Sequence, residues 1–261
     1  MLSKLRCGHE RGSRMSAEHP KSILISGESG HGKSFSLMNL RDQKGVLYIN
    51  AEGGKPLPFK NKFKRVTVDD PYEIFDLFDQ VISDTTGRFH TIVIDTVSFM
   101  MNRFESLHVI GAANTMAQWG AYGQFFPKLM YDYVAKAPQY VIMLGHLESI
   151  LNEDTGRYDS KVPVKGALSK NGLEAYFTTV VNCKKMPIKD IKRDAKEGKL
   201  LHITERDENL GYKHVFQTRT TKQTVGDRIR SPFGLFSDDE TYIDNDAQIV
   251  IDQLVGYYQD A

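Results

Sequence analysis

Along this chain, short apolar runs alternate with longer stretches in which apolar residues recur every three or four positions. Residues 22–26, 46–50, 91–95, 140–145 and 178–182 are strand-sized and almost wholly apolar, as strands buried on both faces must be. Residues 65–68 form a smaller strand of mixed character. Residues 71–83 place Ile74, Phe75, Phe78, Val81 and Ile82 at helical spacing. Residues 104–136 read as mostly helical, broken by Gly111, Gly120 and Gly123. Further helix is expected from near Lys33 through residues 36–40, as a turn or two at 173–177, and as a closing amphipathic helix at 246–258. The polar, turn-rich stretch 147–170 is a long loop or a small hairpin. Residues 202–205 and 214–220 look like an antiparallel pair joined by a turn at 208–211. Strands alternating with helices predict an α/β fold, with a mostly parallel central sheet flanked by helices and a small carboxy-terminal β extension.

In such sheets ligands sit at the carboxyl ends of the strands, and the residues there are informative. The run at 22–26 leads into Gly27-Glu28-Ser29-Gly30-His31-Gly32-Lys33-Ser34, which is G-x-x-x-x-G-K-[ST], the Walker A phosphate loop. Its glycines allow the backbone N–H groups to approach phosphate oxygens. Lys33 supplies a charge for the β- and γ-phosphates, and Ser34 a hydroxyl for Mg²⁺. A helix starting here would add its positive end. Residues 27–34, with Phe35 beside them, are therefore the expected contacts of a nucleoside triphosphate, ATP. Asp95 ends an apolar strand in the Walker B pattern, and with Ser34 it is the metal-binding candidate; as a bare sequence feature it also suits a helix N-cap. Glu52 ends another strand and is the best-placed acid to activate water, and His146 ends a third, where a polar group can sense the γ-phosphate. Lys33, Glu52, Asp95 and His146 form the expected catalytic set.

Bulk properties narrow the class. Across 261 residues, 40% hydrophobic and 26% charged is ordinary globular composition, and a net charge of +1 leaves any nucleic-acid affinity to local patches. Two cysteines are too few for a disulfide framework and suit a reducing compartment. The apolar runs are too short to span a membrane. The Asn-Lys-x-Asp string of a GTPase and the His-Glu-x-x-His of a metalloprotease are missing. Residues 1–20 read as a disordered lead-in, 21–236 as the ATPase domain, and 237–261 as an acidic segment with the closing helix. Residues 184–230 hold thirteen basic against seven acidic residues, whereas from Ser237 onward there are seven acids and no Lys or Arg. That asymmetry fits a nucleic-acid surface with a competing tail, and equally fits charge pairing within or between subunits.

With these motifs in order, the chain resembles the RecA-like P-loop ATPase core, and more closely the short phage-encoded AAA/RecA-core ATPases of the single-strand annealing type. The likeness is carried by residues 27–34, 48–52, 92–95 and 141–146, with weaker support from His146-Leu147-Glu148, Pro163-Val164-Lys165-Gly166 and the stretch 216–235. It implies an ATP- and Mg²⁺-dependent DNA-binding ATPase of phage recombination or replication, working in the bacterial host cytoplasm and self-associating into a ring or filament. The loops after the strand ending in Asp95 and the strand ending at His146, residues 99–118 and 147–170, would then face single-stranded DNA, with Arg103, Arg157, Lys161, Lys165 and Lys170 as contacts. Arg219 and Lys222 would be candidates for the basic finger reaching a neighbour's γ-phosphate. A nucleotide-switched assembly or regulatory ATPase without DNA affinity, and a small-molecule phosphotransferase, are the alternatives.

Overall fold

A computed structural model describes residues 21–153, 156–194 and 198–259. The lead-in expected at residues 1–20 lies outside the described residues. The chain enters through β1 (Ser22–Gly27), makes the phosphate loop, and continues into β2 (Val46–Asn50) and β3 (Lys64–Thr67). Helix α1 (Glu73–Ser83) leads to β4 (Thr91–Asp95), followed by α2 (Val97–Phe104) and α3 (Thr115–Lys128). Strand β5 (Tyr140–His146) runs into the hairpin β6 (Glu148–Asn152) and β7 (Arg157–Lys161). After α4 (Leu168–Asn171) come β8 (Thr179–Pro187), α5 (Ile188–Asp194) and α6 (Glu205–Leu210). Strands β9 (Tyr212–Gln217) and β10 (Tyr242–Asp244) and helix α7 (Ala247–Gln259) complete the fold.

Eight strands form one sheet in the order β10-β9-β8-β1-β5-β4-β2-β3. From β8 to β3 all neighbours are parallel, and β9 and β10 are added antiparallel at one edge. Successive side chains of a strand point to opposite faces. Leu24 thus packs with Phe104 and Phe125 on one face, while Ile23 and Ile25 pack with Val250 and Leu254 on the other. Burial on both faces is why the strands read as continuous apolar runs. The strand order sets β5 between β1 and β4, so His146 stands between the phosphate loop and Asp95 at one edge of the sheet. This is the α/β architecture, a mostly parallel sheet flanked by helices, that the sequence predicts.

Four local expectations are corrected. The helix near Lys33 is a single tight 3₁₀ turn, Ser34–Leu37, after which the chain bends back through Asp42 in the left-handed region (φ 40°) to start β2. Leu37 and Leu40 are buried by that path, and a four-residue turn has no appreciable macrodipole. Gly120 and Gly123 do not break α3, because the burial of Tyr122, Phe125 and Phe126 outweighs the ~1 kcal/mol that each helical glycine costs. Residues 202–205 are not a strand. Thr204 instead caps α6 reciprocally with Asp207, and Gly211 ends that helix at φ 73° where a hairpin turn was expected. Strand β9 pairs with β8, which runs on to Pro187, five residues beyond the apolar run that announced it. Residues 147–170 do contain the small hairpin. Among the described residues, no helix is long and apolar enough to cross a membrane.

Candidate functional site

Parallel register brings the tips of β1, β2, β4 and β5 to one edge, above which lies a cavity of about 890 Å³. Its floor is the phosphate loop. Gly30 (φ 78°) and Gly32 (φ 98°) adopt backbone conformations closed to other residues. The N–H groups of Gly30, Gly32 and Lys33 have no acceptor among the described residues, so the loop is a nest of free donors suited to an anion. Gly27 is required for a different reason: a Cβ there would sit 2.8 Å from the Cβ and carbonyl oxygen of Cys183 on the neighbouring strand. Lys33 is buried, its ammonium donating to the carbonyls of Gly27 (2.8 Å) and Glu28 (2.9 Å). Burial lowers its pKa, and the Asp95 and Glu52 carboxylates oppose that fall.

Asp95 is almost fully enclosed. Its Oδ2 accepts from Ser34 Oγ at 3.0 Å and from Tyr48 Oη at 2.8 Å, while its Oδ1 is buried without a hydrogen-bond partner. Burial raises the carboxyl pKa, against the pull of the Tyr48 hydrogen bond. A bare buried carboxylate oxygen beside a serine hydroxyl fits a hard divalent cation. No group of three or more His, Cys, Asp or Glu gathers into a metal cluster among the described residues. The Ser34 hydroxyl and the free Asp95 oxygen fit Mg²⁺, which takes one or two protein oxygens and completes its shell with phosphates and water.

Glu52 lies just beyond β2, on a loop held by Asn50. The Asn50 Oδ1 accepts from the N–H groups of Glu52 (3.0 Å) and Gly54 (3.1 Å), and its Nδ2 donates to the Lys55 carbonyl (2.8 Å). The Glu52 carboxylate meets His146 Nε2 and Lys55 Nζ, each at 3.4 Å. The His146 hydrogen bond is the foremost reason that its carboxyl is held below the usual range. His146 Nδ1 lies 3.4 Å from Lys33 Nζ. An ammonium only donates, so Nδ1 accepts and Nε2 carries the proton toward Glu52. The His146 ring packs edge-on against Phe99, and its backbone N–H donates to Ser98 Oγ (2.9 Å). Lys33, His146 and Glu52 therefore form one chain of contacts across the cavity floor, next to the Ser34–Asp95–Tyr48 cluster.

The opposite wall comes from the carboxy-terminal third. Arg206 and Leu210 of α6, Tyr212 and His214 of β9, and Asn245 after β10 face Phe35 and Pro58 across the opening. None of this wall is marked in the sequence as part of a site, and neither are the roles of Tyr48 and Asn50. Tyr48 left a signal, a phenol in an otherwise aliphatic buried strand, whose hydroxyl needs a partner. Asn50 left another, a short polar side chain at the tip before Ala51-Glu52. His214 and Asn245 left none, lying 183 and 213 residues from the atoms they contact.

The remaining candidates are scattered. Arg157 and Lys161 lie on the hairpin, where exposed Leu151 and Tyr158 pair across the strands. Lys165 is paired with Glu105 (2.8 Å), Lys170 is on α4, and Arg103 donates to the Asp69 carbonyl (3.1 Å). Arg219 is committed within the chain, to the Phe236 carbonyl (2.9 Å) and Asp238 (2.7 Å), and Lys222 is exposed. Three of the acids at this end meet basic side chains of the same chain: Asp252 meets Arg41, Asp244 meets Lys213, and Asp238 meets Arg219. Of the two readings of the charge asymmetry, intramolecular pairing is the one these contacts support.

A family model described as an AAA domain matches residues 19–227. No curated protein matches the chain. Among solved structures, the chain is similar to the crystal structure of the RadB recombinase, at 14% identity over 78% of this chain and 84% of that one, with a TM-score of 0.40. It is also similar to the flagellar accessory protein FlaH from Methanocaldococcus jannaschii, at 10% identity over 77% and 78% of the two chains, with a TM-score of 0.35.

Proposed function

The chain belongs to the AAA-domain family, and from that premise we propose that it hydrolyses ATP with Mg²⁺ and couples the hydrolysis to single-stranded DNA. The observation carrying the first half is the convergence of Ser34 on Asp95 at 3.0 Å, beside the Lys33–His146–Glu52 chain, from four separate strand tips. The free N–H groups of the loop and Lys33 hold the polyphosphate. Ser34 and Asp95 hold the metal ion, which when bound neutralises phosphate charge. Glu52, kept ionised by His146, orients water and takes its proton. His146 touches both Lys33 and Glu52 and opens the β5–β6 connection, so a change at the γ-phosphate reaches the hairpin through one residue.

Support for DNA is the hairpin itself. Leu151 and Tyr158 form an exposed cross-strand pair on one face of the hairpin, and Arg157 and Lys161, both on β7, stand on the other face with exposed Ile150; apolar groups and cations on one small hairpin suit bases and a phosphate backbone. The resemblance to phage annealing ATPases supports a role in recombination or replication in the host cytoplasm, with assembly into a ring or filament. Lys222 is the stronger finger candidate, since Arg219 is held in its own chain. A nucleotide-switched regulatory ATPase without DNA affinity is favoured by one observation: Lys184, Lys192, Lys213, Arg219 and Arg228 are all paired with carboxylates in the same chain.

Phosphate release from ATP, measured with and without a single-stranded oligonucleotide over a range of salt, tests the reading. Stimulation that weakens with salt is expected. Turnover indifferent to DNA supports the regulatory reading, and phosphate delivered to a metabolite instead of water would remove both.

A further inference from the structure

A phosphate loop whose N–H groups face a ligand must turn its carbonyl groups the other way. Where those carbonyls are covered by protein, each needs a donor. In this chain the carbonyls of His31 and Gly32 face the carboxy-terminal wall. His214 Nδ1 lies 2.9 Å from the His31 oxygen, and Asn245 Nδ2 donates to the Gly32 oxygen at 3.0 Å. A carbonyl only accepts, so Nδ1 of His214 carries its proton. The Asn245 amide is oriented from behind: Cys183 Sγ donates to its Oδ1 at 3.2 Å, so the NH₂ end must face the loop. Cys183 is buried, and burial pushes its thiol pKa up, keeping the proton that this contact needs. The fit is tight, since a Cβ on Gly32 would meet Asn245 Nδ2 at 2.6 Å and His214 Nδ1 at 3.2 Å.

Both donors are fixed by the carboxy-terminal elements. His214 is inside β9, paired with Lys185 of β8. Asn245 is held between β10 and α7; the segment after the loop is tied to Asp246, just before α7, by Asn39 (2.8 Å), and to α7 itself by the twofold contact of Arg41 with Asp252. Asn245 and α7 lie outside the residues matched by the AAA-domain model.

We propose that Asn245 and His214 are positioning residues for polyphosphate, holding the peptide groups at 31 and 32 with their N–H sides toward the cavity, and that they link nucleotide occupancy to β10 and α7. The inference rests on the nucleotide-binding reading above and extends it to a segment with no phosphate motif. Without His214 the His31 carbonyl loses its hydrogen-bond donor, and without Asn245 the Gly32 carbonyl keeps only the Ser36 N–H (3.0 Å) of its own turn, so in either case that peptide is freer to rotate away from the binding orientation. The loop binds ground state and transition state alike, so the loss falls on affinity and KM, with kcat kept. By reciprocity, bound nucleotide steadies the segment that braces the loop.

The test uses the full chain, a non-hydrolysable ATP analogue and Mg²⁺. Asn245→Ala and His214→Ala are each expected to weaken analogue binding about tenfold, with KM rising in parallel and kcat within about threefold of the wild type. Cys183→Ser keeps a donor to Asn245 and is expected to bind within about threefold of the wild type, whereas Cys183→Ala falls between these limits. Amide hydrogen exchange at residues 244–259 slows with analogue in the wild type and not in Asn245→Ala. If Asn245→Ala folds poorly, His214→Ala and the Cys183 pair decide the same question. Wild-type binding with variants that bind equally well, or that lose only melting temperature, overturns this inference alone. A folded wild type that ignores the analogue overturns the nucleotide reading and this inference with it.

Discussion

Two walls face each other across the cavity, and they are built by different rules. One is made of strand tips. Glu52, Asp95 and His146 each lie at or just beyond the end of a parallel strand, and adjacent register alone brings them within reach of the phosphate loop. The other is made of α6, β9 and the β10–α7 junction, elements that reach the loop only because the chain adds two antiparallel strands to the sheet edge. The first wall points ionisable groups at the ligand, while the second points donors at the back of the loop. On the proposed function, chemistry falls to the first wall and ligand affinity to the second.

The strongest attempt to break this division is Glu52→Gln. It keeps the shape and removes the base, so turnover is expected to fall about 10²- to 10⁴-fold with analogue affinity nearly unchanged. A large loss of affinity with intact kcat would place Glu52 on the binding side and undo the comparison. Next in size is Tyr48→Phe, which deletes one of the two donors to Asp95 Oδ2 and leaves Ser34. Partners behind a metal ligand govern metal affinity. The Mg²⁺ concentration for half-maximal turnover is expected to rise about tenfold, and stability to fall by about 1–2 kcal/mol. A magnesium titration followed by thermal unfolding reads both.

His146→Ala sharpens the same wall through pH. The His146 hydrogen bond is the leading cause of the depressed Glu52 carboxyl, and its removal lets that carboxyl rise toward its ordinary range. The acid limb of the pH–turnover profile is therefore expected to move to higher pH. A depressed folded-state pKa contributes stability above the unfolded value, about 4.3, and the contribution disappears as pH falls through the folded-state value. The stability gap between wild type and His146→Ala should accordingly close below about pH 4. An acid limb left in place would show that Glu52 does not carry it.

The two walls also differ in how far the sequence exposes them. The first is written in local pattern: an apolar run, then Gly27–Ser34, Glu52, Asp95 or His146 at its tip. That pattern works because a strand buried on both faces must be apolar throughout and its tip must not be. Local pattern misleads at Lys33, where the extended phosphate-loop helix gives way to one 3₁₀ turn because the chain has to bury Leu37 and Leu40 and return to β2. The second wall has no local pattern. Residues 202–205 carry the alternation of a strand, yet Thr204 and Asp207 close a capping box that commits the following residues to helix. Asn245 is an ordinary loop asparagine until β10 pairs with β9 and brings it to Gly32. Long-range pairing decides that wall, and a single sequence carries no direct trace of it.

The smallest expected effect separates the brace from the packing around it. Arg41 meets Asp252 of α7 through two nitrogens at 2.7 and 2.8 Å, an aligned geometry, but the two side chains are 70% and 38% exposed. Exposed pairs contribute about 0–1 kcal/mol and are screened by salt. Arg41→Ala is therefore expected to lower the melting temperature by about 2 °C or less, by an amount that shrinks as salt is added. Because the Asn245 and His214 contacts do not pass through Arg41, analogue affinity should stay at the wild-type value. The comparison turns on that contrast. If Arg41→Ala weakens nucleotide binding as much as Asn245→Ala does, the phosphate loop depends on the docking of α7 as a whole. The second wall would then be a general support for the fold, with no specific hold on residues 31 and 32.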